Sequence, residues 1–233
     1  MIRWNIFFII CLFIVKIKGQ KTEVLHESGF RHEYALSSMT MIENIADTTR
    51  CKYIATVKVS GEHGDGLIGN SLNLLSMKAK QLGANMYTVQ SYRQSEKDAE
   101  VIVRLFFAPE KLKKENDGKR IKNAIYVFNQ YRGKEDTAYF FVNKEKTIFN
   151  QEKFYQINIV IGTVYNLEVT PTNRGGVKVL HTKPNDALFF IIPSNKKKIV
   201  TTATLNSMSI GFKRNLPVDI DYQLGRFFVE VYK

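Results

Sequence analysis

Cysteine is nearly missing from this chain. Of 233 residues only Cys11 and Cys51 are cysteines, which excludes a disulfide-built scaffold and leaves stability to packed cores. No apolar run reaches the roughly 20 residues that a spanning helix needs, which excludes a multi-span membrane protein. The four histidines, His26, His32, His63 and His181, show no ligand spacing of a known metal site. No G-x-x-x-x-G-K-[ST] phosphate loop and no G-x-S-x-G nucleophile elbow occurs. What is present is ordinary for a folded protein. The chain is 44% apolar and 24% charged, which excludes disorder and collagen, and it is long enough for one large or two small cores.

The first 19 residues read as a secretory signal. Arg3 supplies a short basic start, and Trp4 to Val15 is apolar apart from Asn5. That core is too short to span a bilayer. Gly19 is small enough to precede a cut, so cleavage is expected between Gly19 and Gln20. The alternative is a retained anchor, because Lys16 and Lys18 are unusual beside a cleavage site. Lipidation at Cys11 is rejected, since Ile10 precedes it and the apolar stretch continues beyond it. The mature chain then keeps Cys51 alone, read as a buried, inert thiol. Cleavage lowers the net charge of +12 by three cations, Arg3, Lys16 and Lys18, to +9. For an exported protein such a balance points to an anionic envelope component, such as lipid headgroups or polysaccharide, or to an acidic protein partner, and away from nucleic acid.

Residues 20–49 form a weakly patterned arm, in which Ala35 to Ala46 reads as a short helix or as an irregular segment with an extended piece. Patterning sharpens from Cys51. Tyr53, Ala55, Val57 and Val59 alternate, which predicts a strand with one buried face. Three glycines in Gly61 to Gly66 predict a turn. Ile68, Leu72, Leu75, Ala79 and Leu82 then make one apolar stripe at helical spacing, with Asp65 placed to cap its start and Gly83 placed as a left-handed C-cap. Strands follow at Met86 to Tyr92, with Tyr87 and Val89 inward, and at Ala99 to Phe107, with Val101, Val103, Leu105 and Phe107 on one face. The unit is strand–helix–strand–strand.

Pro109 to Lys122 carries Lys111, Lys113, Lys114, Lys119, Arg120 and Lys122 around Asn116-Asp117-Gly118. It reads as a charged loop between an α/β module at 50–110 and a β-rich module at 120–233, and as a candidate basic patch. Beyond it short β-branched or aromatic runs recur: Ala124 to Phe128, Ala138 to Asn143, Phe154 to Ile161, Tyr165 to Val169, Val177 to Leu180, Ala187 to Ile192, Ile199 to Thr204 and Phe227 to Tyr232. Their spacing predicts a sandwich or barrel. Adjacent pairs such as Phe140-Phe141, Phe189-Phe190 and Phe227-Phe228 put one ring on each face of a strand, so some sheet must be covered on both sides. The fold class expected is therefore α+β.

Lys78-Ala79-Lys80-Gln81-Leu82-Gly83-Ala84-Asn85, between the strands at 54–61 and 86–91, is similar to a pattern in small cell-envelope domains. Residues 52–107 resemble the folded domain of the outer-membrane Rcs stress-sensor lipoprotein and YbjQ-like domains. The resemblance implies packing and no chemistry: Ala79 lets the helix approach the sheet, and Gly83 turns the chain without a Cβ penalty. The paired cysteines and lipid anchor of the Rcs sensor are absent, so its signalling role does not transfer. The layout as a whole resembles exported proteins of unknown function from Bacteroidetes-type bacteria.

Candidate chemistry is sparse. His26-Glu27 and His32-Glu33 lie in the arm, and His63 stands beside Glu62 and Asp65 in the glycine-rich turn. Gly61 to Gly69 joins a strand to a helix start, where anions bind, but Asp65 would repel a phosphate. Asp219 and Asp221 share one face of an extended segment, with Asp186 elsewhere. Phe140, Phe141, Phe149, Phe154, Tyr155, Phe189, Phe190, Phe227 and Phe228 among lysines could stack sugars or bases, although core packing explains them better. No residue is assigned a catalytic, cofactor or metal role. The expectation is an exported protein, periplasmic or extracellular with outer-membrane association open, that binds or builds without catalysing. A hydrolase with its site between the two modules is the alternative.

Overall fold

A computed structural model describes residues 20–31, 39–62, 67–95, 98–129, 139–149, 153–169, 176–192 and 217–233. The expected signal, His32, His63, Asp65 and the strand expected at Ile199 to Thr204 lie outside these residues. The described part is an α+β fold with three sheets, as the sequence pattern implies.

The first sheet collects β1 (Lys21–Glu27), β2 (Thr40–Met41), β3 (Lys52–Glu62), β4 (Met86–Gln94) and β5 (Asp98–Phe107) in the order β1-β3-β5-β4-β2. β5 pairs antiparallel with both β3 and β4. Those two strands therefore run parallel with β5 between them, and α1 (Leu67–Leu82) bridges them as a split β-α-β unit. Leu72, Leu75, Ala79 and Leu82 of the predicted stripe are buried in one core with Ala55, Val57, Val59, Val101, Val103 and Leu105. The helix stops as its sequence predicts. Gly83 has φ +77°. Its N–H bonds to Lys80 O at 3.3 Å and the Ala84 N–H reaches Ala79 O at 2.9 Å. These are the paired bonds of a Schellman cap.

One face assignment changes. Tyr53 does not share the face of Ala55 and Val57, because the β3–β5 register shifts between Tyr53 and Ala55. The bulge turns Tyr53 to the opposite side, where it packs with Ile42, Met86, Phe106, Ala108 and Leu112. Leu112 comes from α2 (Glu110–Asp117), so the stretch expected as a charged loop is largely helical. Its buried face consists of Leu112 and Asn116, four apart. The Asn116 amide accepts from Glu43 N–H at 2.8 Å and donates to Met41 O at 2.9 Å. A helix anchored by one leucine and one amide carries no apolar stripe to betray it. In the described part of the arm the chain is extended at β2 and then forms a 3-10 turn at Ile45–Arg50, which fits the irregular alternative with an extended piece; residues 35–38 lie outside the described residues.

The second half holds two four-stranded sheets. β6 (Ala124–Asn129) and β12 (Leu188–Ile192) pair parallel, flanked by β9 (Phe154–Asn158) and β13 (Val218–Ile220). β7 (Tyr139–Val142), β8 (Glu145–Ile148), β10 (Val164–Glu168) and β11 (Val177–Leu180) form an antiparallel sheet, ordered β11-β10-β7-β8. Ile125, Val127, Phe190 and Ile192 face Phe140, Leu167 and Val179 across a shared core. This is the packed two-sheet arrangement that the short strands predict.

Phe227 to Tyr232, expected as a strand, belongs to α3 (Tyr222–Tyr232). The Asp221 carboxylate accepts from Leu224 N–H at 3.0 Å and starts the helix. Leu224 through Val229 and Val231 are all buried, the charged Arg226 among them, so the helix is covered on several sides although it is not apolar all round. Phe227 meets Tyr87 of the first sheet edge-on at 6.2 Å. Phe228 meets Phe128 of the β6 sheet edge-on at 5.4 Å. The largest core accordingly joins Val57, Leu75 and Tyr87 to Phe128, Phe189 and Phe227. Phe189 faces this core and Phe190 the other, so the β6–β12 sheet is the doubly covered one that the Phe-Phe pair requires. No helix among the described residues is long and apolar enough to cross a membrane.

Candidate functional site

Among the described residues, buried ionisable groups converge where α3 meets the β2 segment. Arg226 Nε donates to Glu43 Oε2 at 2.9 Å, and its NH1 donates to Glu230 Oε1 at 2.9 Å. Only 5% of the Arg226 side chain and 4% of the Glu43 side chain are exposed. Burial pulls the Arg226 pKa down, but the two carboxylates outweigh it and hold the guanidinium above its ordinary value. Burial pushes Glu230 up, and hydrogen bonds from Lys233 and Arg226 more than reverse that, leaving it below the usual carboxylate range. The Tyr87 hydroxyl sits nearby, fully buried and without a hydrogen-bond partner, and burial drives its pKa far up. Tyr222 is raised by burial and by the Glu43 charge, while its oxygen accepts from Ile121 N–H at 2.8 Å. Gln223 Oε1 accepts from Met41 N–H at 3.1 Å. The bonds to Glu43, Met41 and Ile121 tie α3 to the β2 segment and to the end of the 118–123 turn, and those of Glu230 to Arg226 and Lys233 stay within the helix end. The cluster is a closed clamp.

Those of the residues singled out in the sequence that the structure describes do not converge. His26 is exposed, with Nδ1 at 3.0 Å from the Tyr53 hydroxyl, which in turn lies 2.8 Å from Thr56 Oγ1. His181 is buried with Nδ1 unpartnered. No group of three or more His, Cys, Asp or Glu among the described residues is placed to hold a metal ion. Asp221 caps α3. Asp219 lies two residues earlier, in β13, its pKa raised by burial and then by the Asp221 charge. Asp186 accepts from Arg120 NH1 at 3.2 Å. Cys51 is half-buried, and burial pushes its thiol pKa up.

The basic stretch divides into paired and unpaired cations. Arg120 also bonds Asp117 and stacks over Tyr222 at 4.8 Å. Lys119 bonds Asp47 at 2.5 Å, and Asp47 also faces Arg50, which bonds Glu115 at 2.6 Å. Lys111, Lys114 and Lys122 carry no ion pair among the described residues, and all three are exposed.

A second surface feature breaks the expected strand pattern. The run Phe154 to Ile161 reads as one strand, but β9 ends at Asn158 and the chain turns. Thr163 N–H bonds to Val160 O at 3.1 Å and Gly162 has φ +84°, the positive φ that a type II turn demands at its third position. Val160, Ile161, Val164 and Leu180 are exposed there. Comparison with known proteins adds nothing to this geometry: no family profile, no curated protein and no solved structure matches the chain.

Proposed function

We propose that the chain is an exported cell-envelope protein whose role is to bind or build, without catalysis, and whose partner is an anionic envelope component. The observation that carries this reading is the closure of the buried ionic cluster found among the described residues. Catalytic acids and bases need polar capacity aimed at a space a substrate can enter. Here Arg226 spends its donors on Glu43 and Glu230. Between the two halves, where the alternative hydrolase site is expected, Phe227 and Phe228 of α3 pack against Tyr87 and Phe128. Positive charge with no ion pair among the described residues instead lies outside, on Lys111, Lys114 and Lys122. Export rests on the short apolar N-terminus with Gly19 before the expected cut.

Two measurements test the reading. The intact mass of the protein exported by a bacterial host should correspond to a chain starting at Gln20; a product retaining residues 1–19 refutes cleaved export. The same product should be retained by an immobilised anionic polysaccharide or by anionic vesicles at moderate salt and released as salt rises. Passage through both refutes the anionic partner.

A further inference from the structure

We infer that the end of the molecule formed by the 159–164 turn, Leu180 and the neighbouring lysines is a docking surface for an anionic lipid bilayer. The inference rests on the proposed anionic partner and names both the partner and the surface that meets it.

Four aliphatic side chains are exposed together. Val160 is 65% exposed, Ile161 46%, Val164 44% and Leu180 50%. Val164 and Leu180 are direct cross-strand partners. Val160 and Ile161 occupy the first half of the adjoining turn, and a Cβ built on Gly162 meets nothing within 4 Å. The tip therefore stands in open space. It is also held rigidly. The Tyr165 hydroxyl accepts from Val160 N–H at 3.0 Å and donates to Asn158 O at 3.4 Å. Gly162 N–H reaches His181 O at 2.8 Å, and Ile159 N–H reaches Asn123 O at 2.8 Å. Contiguous exposed apolar surface of this kind marks an interaction site.

The charge around the tip selects the occupant. Asn123 N–H bonds to Asn185 O at 3.0 Å, so the 118–123, 159–163 and 181–186 segments meet at one end. Lys122 and Lys183 flank the tip from the first and last of these, both exposed. Lys178 is exposed on the same strand face as Leu180. No Asp or Glu occurs in residues 159–167 or 177–185, and Asp186 is occupied by Arg120. An aliphatic tip flanked by lysines that have no ion pair among the described residues matches a surface that is apolar inside and negative outside, and the two attractions add. A protein partner fits less well. The tip projects instead of forming a groove, and its exposed side chains are aliphatic, without the Trp, Tyr and Arg that dominate protein interfaces, since Tyr165 behind it is half-buried.

Vesicle co-sedimentation of the chain from Gln20 tests this; every described core residue lies within 24–232 and is retained. The wild type should bind phosphatidylcholine vesicles containing phosphatidylglycerol and ignore phosphatidylcholine alone. Ile161→Ser should lower the partition coefficient about tenfold, by loss of inserted apolar area. Lys122→Gln with Lys183→Gln should lower it about fivefold for each charge. Met77→Ser, at an exposed apolar residue of α1, should leave it unchanged. Binding that falls with salt but ignores Ile161→Ser overturns the proposal, since the tip then does not insert. If vesicles are ignored while anionic polysaccharide retains the chain, the docking surface falls and the anionic-partner reading stands; if both are ignored, both fall. Self-association lost in Ile161→Ser, without vesicle binding, would assign the tip to a second protein and overturn the proposal.

Discussion

Arg226→Leu tests whether the buried clamp holds the two ends of the chain together. The substitution removes a guanidinium that is nearly inaccessible and leaves the Glu43 carboxylate, also nearly inaccessible, without its partner. Glu230 suffers less, being more exposed and bonded to Lys233 at 2.8 Å. Breaking a buried pair by deleting one member costs about 3–5 kcal/mol, most of it the uncompensated charge. For a chain of this size 1 kcal/mol moves the melting temperature by about 2–4 °C, so a fall of roughly 6–20 °C is expected. Urea unfolding at neutral pH should show the loss as a lower midpoint with little change in slope. The double variant Glu43→Gln/Arg226→Leu should recover part of it, because the orphaned charge is then gone, and neighbouring sites couple by about 0.5–3 kcal/mol. If Arg226→Leu melts like the wild type, or if the double variant loses the sum of the two single losses, the pair is not a buried clamp and α3 is held by its apolar faces alone.

Other outcomes follow from local geometry. A Cβ on Gly225 would lie 2.1 Å from Phe189 Cγ. That ring is stacked on Tyr126 at 5.2 Å and met edge-on by Tyr222. Gly225→Ala should therefore cost about 1–3 kcal/mol or more in a thermal melt, while Gly118→Ala, at a right-handed helical φ of −63°, should be nearly neutral. At Gly83, with φ +77°, Ala should cost about 1 kcal/mol, Val more because its branched side chain is stiffer, and Asn less; equal melting temperatures across the three would refute the cap. Glu230 has its folded pKa below the ordinary 4.5. Its contribution is complete above that value and lost as pH falls through the folded one. Urea melts across the acid range should show Glu230→Gln with a flatter acid limb than the wild type.

Much of the fold was legible because it depends on short-range periodicity. The α1 stripe, the Gly83 cap and the alternation in β5 each use residues within a few positions of one another. The Phe189-Phe190 pair implied a sheet covered twice, since neighbouring strand residues point to opposite faces. Failures came where two periods fit the same letters or where the buried face was polar. Arg226 to Tyr232 is rich in aromatic and β-branched residues, which favours a strand. Asp221 as N-cap and cover from two sheets make it a helix instead. For α2 the anchor is an asparagine amide bonded to backbone of the 39–43 segment, a contact no local pattern encodes. The bulge at Tyr53 was equally hidden, because one inserted residue reverses the face without altering the alternation before or after it.

The two surfaces that matter differ in how they could have been found. Glu43 and Arg226 stand 183 residues apart, and nothing near either predicts the other, so the clamp needed the fold. The apolar tip had a local signal. Ile157, Ile159 and Ile161 keep strand alternation, but Val160 and Val164 fall outside it and Gly162 lies between them, and a glycine inside a strand pattern marks a departure from regular pairing. Once the chain turns at Gly162, alternation no longer sends Ile161 inward. Ile157 and Ile159 pack against the core between the two sheets, while Ile161, two residues on, is exposed. The same letters that build a core strand thus leave aliphatic side chains outside. Tyr165 braces them there with its hydroxyl, where a flexible turn could have folded them back against the sheet.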